Sequence, residues 1–238
     1  MTENKIALVT GANKGIGKEI ARQLAEAGYQ VLLGSRDLAR GEEAAKDLPG
    51  TTAIQLTVTD PASVQAAADR IAAEFGRLDV LINNAAIIPE GDSGVADVGA
   101  DALRAGFETN VVGLVAVTQA LLPLLRKAEQ ARIVNLSSSL ASLAIVGDPS
   151  SRMSTVRTVG YNATKAAVNM VTVMLANELR GTGILVNAAD PGNCATDMGG
   201  WDAARTPAQG AAVAVHLATL LADGPTGTSY AEEGQLPW

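Results

Sequence analysis

Hydrophobic and polar positions follow two alternating patterns along the chain. Short, continuous apolar runs rich in Val, Ile and Leu alternate with longer Ala-rich stretches, in which apolar residues such as Ile16, Ile20 and Leu24 recur every three or four positions. Continuous runs are typical of strands in a parallel sheet covered on both faces, and the second pattern indicates amphipathic helices. The runs predict six buried strands, at residues 6–10, 30–34, 53–58, 80–83, 132–136 and 185–188.

The stretches between these runs predict helices. One begins near Ile16, and Pro61 occupies a favoured place at the start of another that continues over residues 63–75. Three more are predicted at residues 110–125, 161–179 and 207–221. Segments 89–99, 144–160 and 193–206 are predicted loops, and the Gly- and Pro-rich segment 223–238 is predicted to be mostly turns with a short seventh strand at 228–231.

Strand followed by helix, repeated about six times, predicts an α/β fold: a doubly wound (Rossmann) mostly parallel sheet of about seven strands with helices on both faces. Right-handed crossovers place every carboxyl end at one edge of such a sheet, and ligands bind there near the switch point of strand order. The length of 238 residues suits a single dinucleotide-binding and catalytic domain over residues 1–238.

Composition excludes several function classes. With 18 Lys and Arg against 25 Asp and Glu, the net charge of −7 argues against binding to nucleic acid or to a membrane surface. The single cysteine, Cys194, allows no internal disulfide and fits a reducing compartment. Together with the single histidine, His216, it leaves no His/Cys metal cluster, so we expect no metal site and no Ser–His–Asp triad.

Targeting and membrane signals are not expected either. Residues 1–5 are polar, and the apolar stretch 6–9 is too short for the core of a signal peptide. The longest apolar region, residues 111–125, falls short of the roughly 18 residues that span a bilayer. We expect a soluble, cytoplasmic protein.

The first predicted strand leads into a glycine-rich turn, TGANKGIG, from Thr10 to Gly17, and a helix follows. Glycines permit a tight turn and close approach of a phosphate, and the helix N-terminus adds partial positive charge. The spacing G-x-x-x-G-x-G is neither the commoner dinucleotide fingerprint nor a P-loop. The turn therefore predicts a dinucleotide site, and an ordinary glycine-rich turn is the alternative.

Arg36 lies just after the second predicted strand, where an acidic residue would bind the ribose hydroxyls of NAD. A cation at this position favours the 2′-phosphate of NADP, and Lys14 and Arg40 could join Arg36 around it. The alternatives are a solvated surface arginine and a role for the neighbouring Asp37 against the ribose.

Tyr161 and Lys165 are four residues apart in a predicted helix and therefore share a face. A nearby ammonium stabilises phenolate and is expected to lower the pKa of the tyrosine, making it a usable acid or base. The alternative is a tyrosine that anchors the helix start beside a solvated lysine.

Polar residues also follow two predicted strands. Residues Ser137–Ser139 come after the fifth strand, where a hydroxyl can donate a hydrogen bond to a substrate oxygen or can cap a turn. Asn83 and Asn84 end the fourth strand and could satisfy backbone groups or touch a ribose. Asn110, in a helical pattern, indicates either a solvent-facing amide or a local kink or bound water.

The motifs resemble those of the short-chain dehydrogenase/reductase family over essentially the whole chain. The matching pieces, in order, are TGANKGIG, NNAA at 83–86, Asn110, the serine after strand five, YNATK at 161–165, and Pro191-Gly192 with Thr196. The Asn13-Lys14 pair, Ser-Arg-Asp at 35–37 and the segment from Thr196 to the final Pro237-Trp238 look most like the NADPH-dependent carbonyl reductase branch.

This resemblance implies an oxidoreductase that uses NADP(H) to reduce an aldehyde or ketone. It implies that Ser138 hydrogen-bonds the carbonyl oxygen, Tyr161 protonates it, Lys165 lowers the Tyr161 pKa and holds the nicotinamide ribose, and Asn110 organises a relay water. The cofactor-binding residues that it implies are Gly11, Asn13, Lys14, Gly15, Ile16, Gly17, Arg36, Arg40, Val58, Asn84, Ala85, Tyr161, Lys165, Pro191, Gly192 and Thr196.

Several questions stay open at this point. Alcohol oxidation by the same site and a non-catalytic dinucleotide sensor are the alternative functions, and the small-molecule substrate cannot be read from the sequence. Three residues depart from the family pattern: Thr57, Ala86 and Asp190. The extra residues 146–159 are expected to form a loop over the site mouth, and they leave open whether the protein is a monomer or a homo-oligomer.

Overall fold

The computed structural model describes residues 4–238, so the first three residues of the polar start lie outside the described part. Eight strands form one sheet in the order β3-β2-β1-β4-β5-β6-β7-β8. The strands are β1 Ile6–Val9, β2 Gln30–Ser35, β3 Thr51–Gln55, β4 Val80–Asn83, β5 Arg132–Leu136, β6 Leu185–Ala189, β7 Ser229–Ala231 and β8 Gly234–Leu236.

Strand order reverses beside β1. Ala7 pairs in parallel with Val31 of β2 on one side and with Val80 of β4 on the other. Strands β1 to β7 are all parallel, and β8 alone runs antiparallel, as a hairpin with β7. This eighth strand was not predicted, because three residues with one glycine give no apolar run. The switch point between β1 and β4 is where such a sheet binds its ligands.

Helices cover both faces of the sheet, which confirms the predicted doubly wound architecture. Ala7 and Val9 of β1 pack on one face, whereas Ile6 and Leu8 pack on the other, so the whole run is apolar. The helices are α1 Gly15–Glu26, α2 Leu38–Ala45, α3 Pro61–Phe75, α4 Ala100–Phe107, α5 Gly113–Leu125, α6 Leu143–Gly147, α7 Val159–Glu178 and α8 Pro207–Ala218. Buried residues of α1, α2 and α8 share the first face, and those of α3, α5 and α7 share the second.

Three short helices were not predicted. Helices α2 and α4 have eight residues each, and α6 has five, so each offers too few turns for a clear apolar period. The predicted loop 144–160 was wrong in part, because it contains most of α6 and a 3₁₀ turn, Arg152–Thr155. Side-chain caps from Ser142 and Ser151 start these two elements.

The apolar region before β5 is longer than expected. Helices α4 and α5 join through a π-helical turn, Glu108–Val112, into a continuous stretch of 26 residues, in which an 18-residue window has a mean hydropathy of 1.4. By length and composition alone this stretch could cross a membrane, so the expectation that it is too short was wrong. Its residues Val117, Leu121 and Leu125 are buried against the sheet, which is the environment of a core helix.

Candidate active site

The carboxyl ends of four neighbouring strands supply the predicted site. Strand β1 leads into the glycine turn, β4 into Asn84, β5 into Ser138 and β6 into Pro191. Because these strands are parallel and adjacent, their ends lie at the same edge of the sheet. The structure therefore brings these predicted positions to one edge, beside the switch point.

A hydrogen-bond network fixes the glycine turn to the end of β4. Thr10 Oγ1 accepts from the backbone N–H groups of Asn84 at 3.0 Å and Ala85 at 2.9 Å. The Asn84 side chain donates to the carbonyl oxygens of Thr10 at 2.8 Å and Gly11 at 3.0 Å. Gly11 has a φ of +61°, and a Cβ there would lie 2.9 Å from the Ala85 Cα, so glycine is required. Asn84 thus satisfies backbone groups, one of the two roles predicted for it.

The N-terminus of α1 fits the phosphates of a dinucleotide. Lys14 occupies the N-cap position without a side-chain cap, and the first turn contains no acidic residue. By contrast, Asp37, Asp60 and Thr206 cap α2, α3 and α8. The N–H groups of the α1 first turn, which begins with Gly15, Ile16 and Gly17, are therefore left for an external anion. Thr196 lies across the turn, with its Cγ2 placed 3.4 Å from a Cβ built on Gly15.

Two of the three predicted cations are paired with carboxylates in this structure. Arg36 is exposed, and no hydrogen bond or ion pair of Arg36 occurs within residues 4–238. Arg40 Nε lies 3.5 Å from Asp37 Oδ2, and Lys14 pairs with Asp197 of the 193–206 segment. Asp37 also accepts the Arg40 backbone N–H at 3.1 Å, so its carboxylate is committed to the start of α2.

Only the central serine of the triplet keeps an uncommitted hydroxyl proton. Ser137 Oγ donates to Asn169 Oδ1, and Ser139 Oγ donates to Asp190 Oδ2, each at 2.6 Å. Ser138 Oγ accepts from the Leu140 N–H at 3.2 Å as the cap of a 3₁₀ turn. It donates to no residue that the structure describes, so it can both cap the turn and donate to a ligand.

Asp92 fixes the start of α7. Its two carboxylate oxygens accept the backbone N–H groups of Gly160 at 2.8 Å and Tyr161 at 2.7 Å. Thr158, at the N-cap position, provides no side-chain cap. Asp92 was not predicted from the sequence, because it lies 69 residues before Tyr161 and the local pattern gives no signal for the contact.

Lys165 is 3% exposed, so the alternative of a solvated lysine was wrong. Its Nζ lies 5.6 Å from the centroid of the Tyr161 ring and donates to the Leu136 carbonyl at 2.6 Å. Burial lowers the pKa of Lys165 to about 8, and the nearby charge of Asp190 acts in the opposite direction.

The expected lowering of the Tyr161 pKa was wrong for this structure. Burial raises the pKa of the phenol above its usual value, and the negative charge of Asp190 raises it further. The physical reason is that burial and the charge of Asp190 both disfavour the phenolate, whereas Lys165 donates its hydrogen bond to a backbone carbonyl. Tyr161 is therefore held in its protonated form.

Asn110 is buried and stands in the π-helical turn between α4 and α5. Its Oδ1 accepts from the Ile87 N–H at 2.8 Å, and its Nδ2 donates to the Ile87 carbonyl at 2.9 Å and to Thr164 Oγ1 at 3.0 Å. Asn110 thus stands where the helix departs from regular α-helical hydrogen bonding, and the solvent-facing alternative was wrong. Val58 packs close by, 3.0 Å from a Cβ built on Gly113.

The single histidine and the single cysteine occupy different environments. His216 is exposed on α8, and Cys194 is buried with its Sγ 3.3 Å from the Pro191 carbonyl. Across residues 4–238, no three His, Cys, Asp or Glu side chains stand together as metal ligands would.

The chain is similar in sequence to a known protein family and to individual relatives. The family model described as short chain dehydrogenase matches residues 5–205. Short-chain dehydrogenase anuI of Penicillium roqueforti is 38% identical over 224 residues, covering 90% of this chain and 88% of that protein. Carbonyl reductase [NADPH] 1 of Sus scrofa is 34% identical over an alignment of 280 residues, covering 100% of this chain and 95% of that protein.

Solved structures agree with these matches. The crystal structure of NADPH-bound carbonyl reductase from chicken fatty liver superposes with a TM-score of 0.86 at 28% identity. The superposition covers 99% of this chain and 100% of that one.

Proposed function

Because the chain belongs to the short-chain dehydrogenase family, whose members use a nicotinamide dinucleotide, we propose that it reduces an aldehyde or ketone with NADPH. The observation that carries this proposal is one hydrogen bond. Lys165, which lies one turn after Tyr161 on α7, donates to the end of β5, and β5 leads to Ser138. The resemblance to NADPH carbonyl reductases from pig and chicken supports the same reaction.

We assign the role of hydrogen-bond donor to the Ser138 hydroxyl and the role of acid to the Tyr161 hydroxyl, both of which remain protonated. The uncommitted proton of Ser138 suits a hydrogen bond to the substrate carbonyl oxygen, which gains negative charge during reduction. Tyr161, whose pKa is raised by burial, keeps its proton until that oxygen can take it. The bound cofactor supplies the hydride.

Lys165 holds the two parts of the site together and, in the proposal, also contacts the nicotinamide ribose. Both polar atoms of the Asn110 side chain are occupied by Ile87 and Thr164. A relay water would therefore contact the backbone of the π-helical turn, where one regular helical hydrogen bond is lost, rather than the Asn110 amide.

The cofactor preference rests on charge. Arg36 is exposed and unpaired within residues 4–238, and it follows the strand next to the glycine turn. A 2′-phosphate near Arg36 would draw Lys14 from Asp197, because a doubly charged phosphate competes strongly with an exposed carboxylate. Pro191, Gly192 and Thr196 would then flank the nicotinamide end. We further propose one catalytic domain over residues 1–238, acting on a small molecule in the cytoplasm.

A panel of aldehydes and ketones, assayed with NADPH and with NADH at 340 nm, tests this proposal. We expect turnover with NADPH to exceed that with NADH at least tenfold, because the Arg36–phosphate contact is lost with NADH. Alcohol oxidation with NADP⁺ but no carbonyl reduction would favour the oxidative direction. NADPH binding without turnover of any substrate would favour a sensor and contradict the proposal.

A further inference from the structure

Asp190, the residue directly after β6, is a buried carboxylate that the proposed reaction does not yet use. It is 5% exposed, and three donors meet its two oxygens. Gly192 N–H binds Oδ1 at 2.8 Å, and the Ser139 N–H and Oγ bind Oδ2 at 2.9 Å and 2.6 Å. Burying a carboxylate is costly unless it is hydrogen-bonded, and this set of donors meets that requirement.

The carboxylate links the two turns that border the site. Ser139 is the immediate neighbour of Ser138, and Gly192 belongs to the turn after Pro191, with a φ of +69°. The Asp190 backbone N–H also donates to the Tyr230 carbonyl of β7 at 2.7 Å, so the carboxylate is itself held in place. Because Ser137 is bonded to Asn169, both neighbours of Ser138 are anchored.

Asp190 also acts on Tyr161 and Lys165 through its charge. It raises the pKa of both groups, opposing the effect of burial on Lys165 and adding to it on Tyr161. Other charged residues on elements around α7 are placed differently: Asp92 binds the backbone N–H groups at the helix start, and Asp101, Arg104 and Glu108 are exposed. Asp190 is thus the buried charge shared by the acid and the lysine.

We propose that Asp190 is a positioning residue for the reaction, which fixes the Ser138 turn against the Gly192 turn. This inference rests on the proposed function. Removing the carboxylate leaves Tyr161 and Lys165 in place but displaces Ser138. It also lowers the pKa of Tyr161 and of Lys165. Both groups then lose their protons at lower pH.

Asp190→Asn tests this, with Ser139→Ala as the matched control that removes one hydrogen bond but keeps the charge. For Asp190→Asn we expect kcat to fall about tenfold and the basic limb of the kcat profile to move down by about one pH unit. Ser139→Ala should lower kcat without moving that limb. Titration of the phenol absorbance in the ligand-free protein, taken as the difference from Tyr161→Phe, should show Tyr161 ionising at lower pH in Asp190→Asn.

Failure of the proposed carbonyl reduction and failure of the positioning role of Asp190 give different results. No carbonyl turnover by the parent protein would overturn the proposed function, whereas the phenol titration would still report on Asp190. Parent-like pH profiles and phenol titration in Asp190→Asn would overturn the positioning role. Asp190→Ala replaces Asp190→Asn if the amide prevents folding, and failure of both to fold would assign Asp190 to the fold rather than to turnover.

Discussion

The side chain of Lys165 reaches from α7 to β5, where its Nζ donates a hydrogen bond of 2.6 Å to the carbonyl oxygen of Leu136. Leu136 is the last residue of β5 and precedes Ser138 by two positions. This bond connects the helix that presents Tyr161 to the turn that presents Ser138. The spacing of the two proposed hydroxyl donors therefore depends in part on this buried lysine.

Burial of Lys165 makes stability depend on pH. Its pKa is about 8 in the folded protein and near the usual 10.5 when unfolded, so between these values the unfolded state binds more protons. The free energy of unfolding should then rise with pH, by about 1.4 kcal/mol per unit at most. The raised pKa of Tyr161 opposes this rise only above pH 10, where an ordinary phenol ionises.

Urea denaturation of the parent and of Lys165→Met between pH 7.5 and 9.5 measures this effect. The difference in unfolding free energy, parent minus variant, should increase with pH by about 2 kcal/mol. Lys127→Met, which removes an exposed lysine, should follow the parent. Parallel pH dependences for the parent and Lys165→Met would show that Lys165 is not desolvated.

Asp92 should matter for activity as well as for stability, because its carboxylate holds the backbone of Tyr161. Asp92→Ala should lower the free energy of unfolding by about 1 kcal/mol and reduce kcat by about tenfold through misplacement of the phenol. Asp60→Ala, which removes the cap of α3, is the matched control. Asp60→Ala should lower the free energy of unfolding to a similar extent with little change in kcat. Equal losses of kcat in both variants would contradict the role assigned to Asp92.

Cofactor preference should depend on Arg36. Arg36→Asp should lower the kcat/KM ratio of NADPH over NADH by at least tenfold, because it replaces attraction for the 2′-phosphate by repulsion. Steady-state kinetics at two ionic strengths would check this, since the preference of the parent should weaken at high salt. Arg40→Ala removes a cation that is already paired with Asp37, so its effect should be smaller. An unchanged ratio in Arg36→Asp would place the phosphate elsewhere.

Features that depend on neighbouring residues in the chain were predictable from the sequence. The parallel strands are apolar throughout because both faces of the sheet are covered, and the glycine turn and the Tyr161–Lys165 spacing are read from neighbouring residues. The roles of Asp92 and Asp190 were not predictable, because each contacts residues more than 50 positions away. The direction of the Tyr161 pKa shift was missed for the same reason: it depends on burial, which the residue spacing does not report.

The most direct test of the account is Tyr161→Phe, which removes the phenolic oxygen and leaves the ring in place. We predict that NADPH binding, measured by calorimetry, stays within about threefold of the parent, because the proposed phosphate contacts lie elsewhere. Carbonyl reduction should fall by about 10²- to 10⁴-fold, since the proton donor is gone. Turnover within tenfold of the parent, with folding and NADPH binding intact, would contradict the assignment of Tyr161 as the acid.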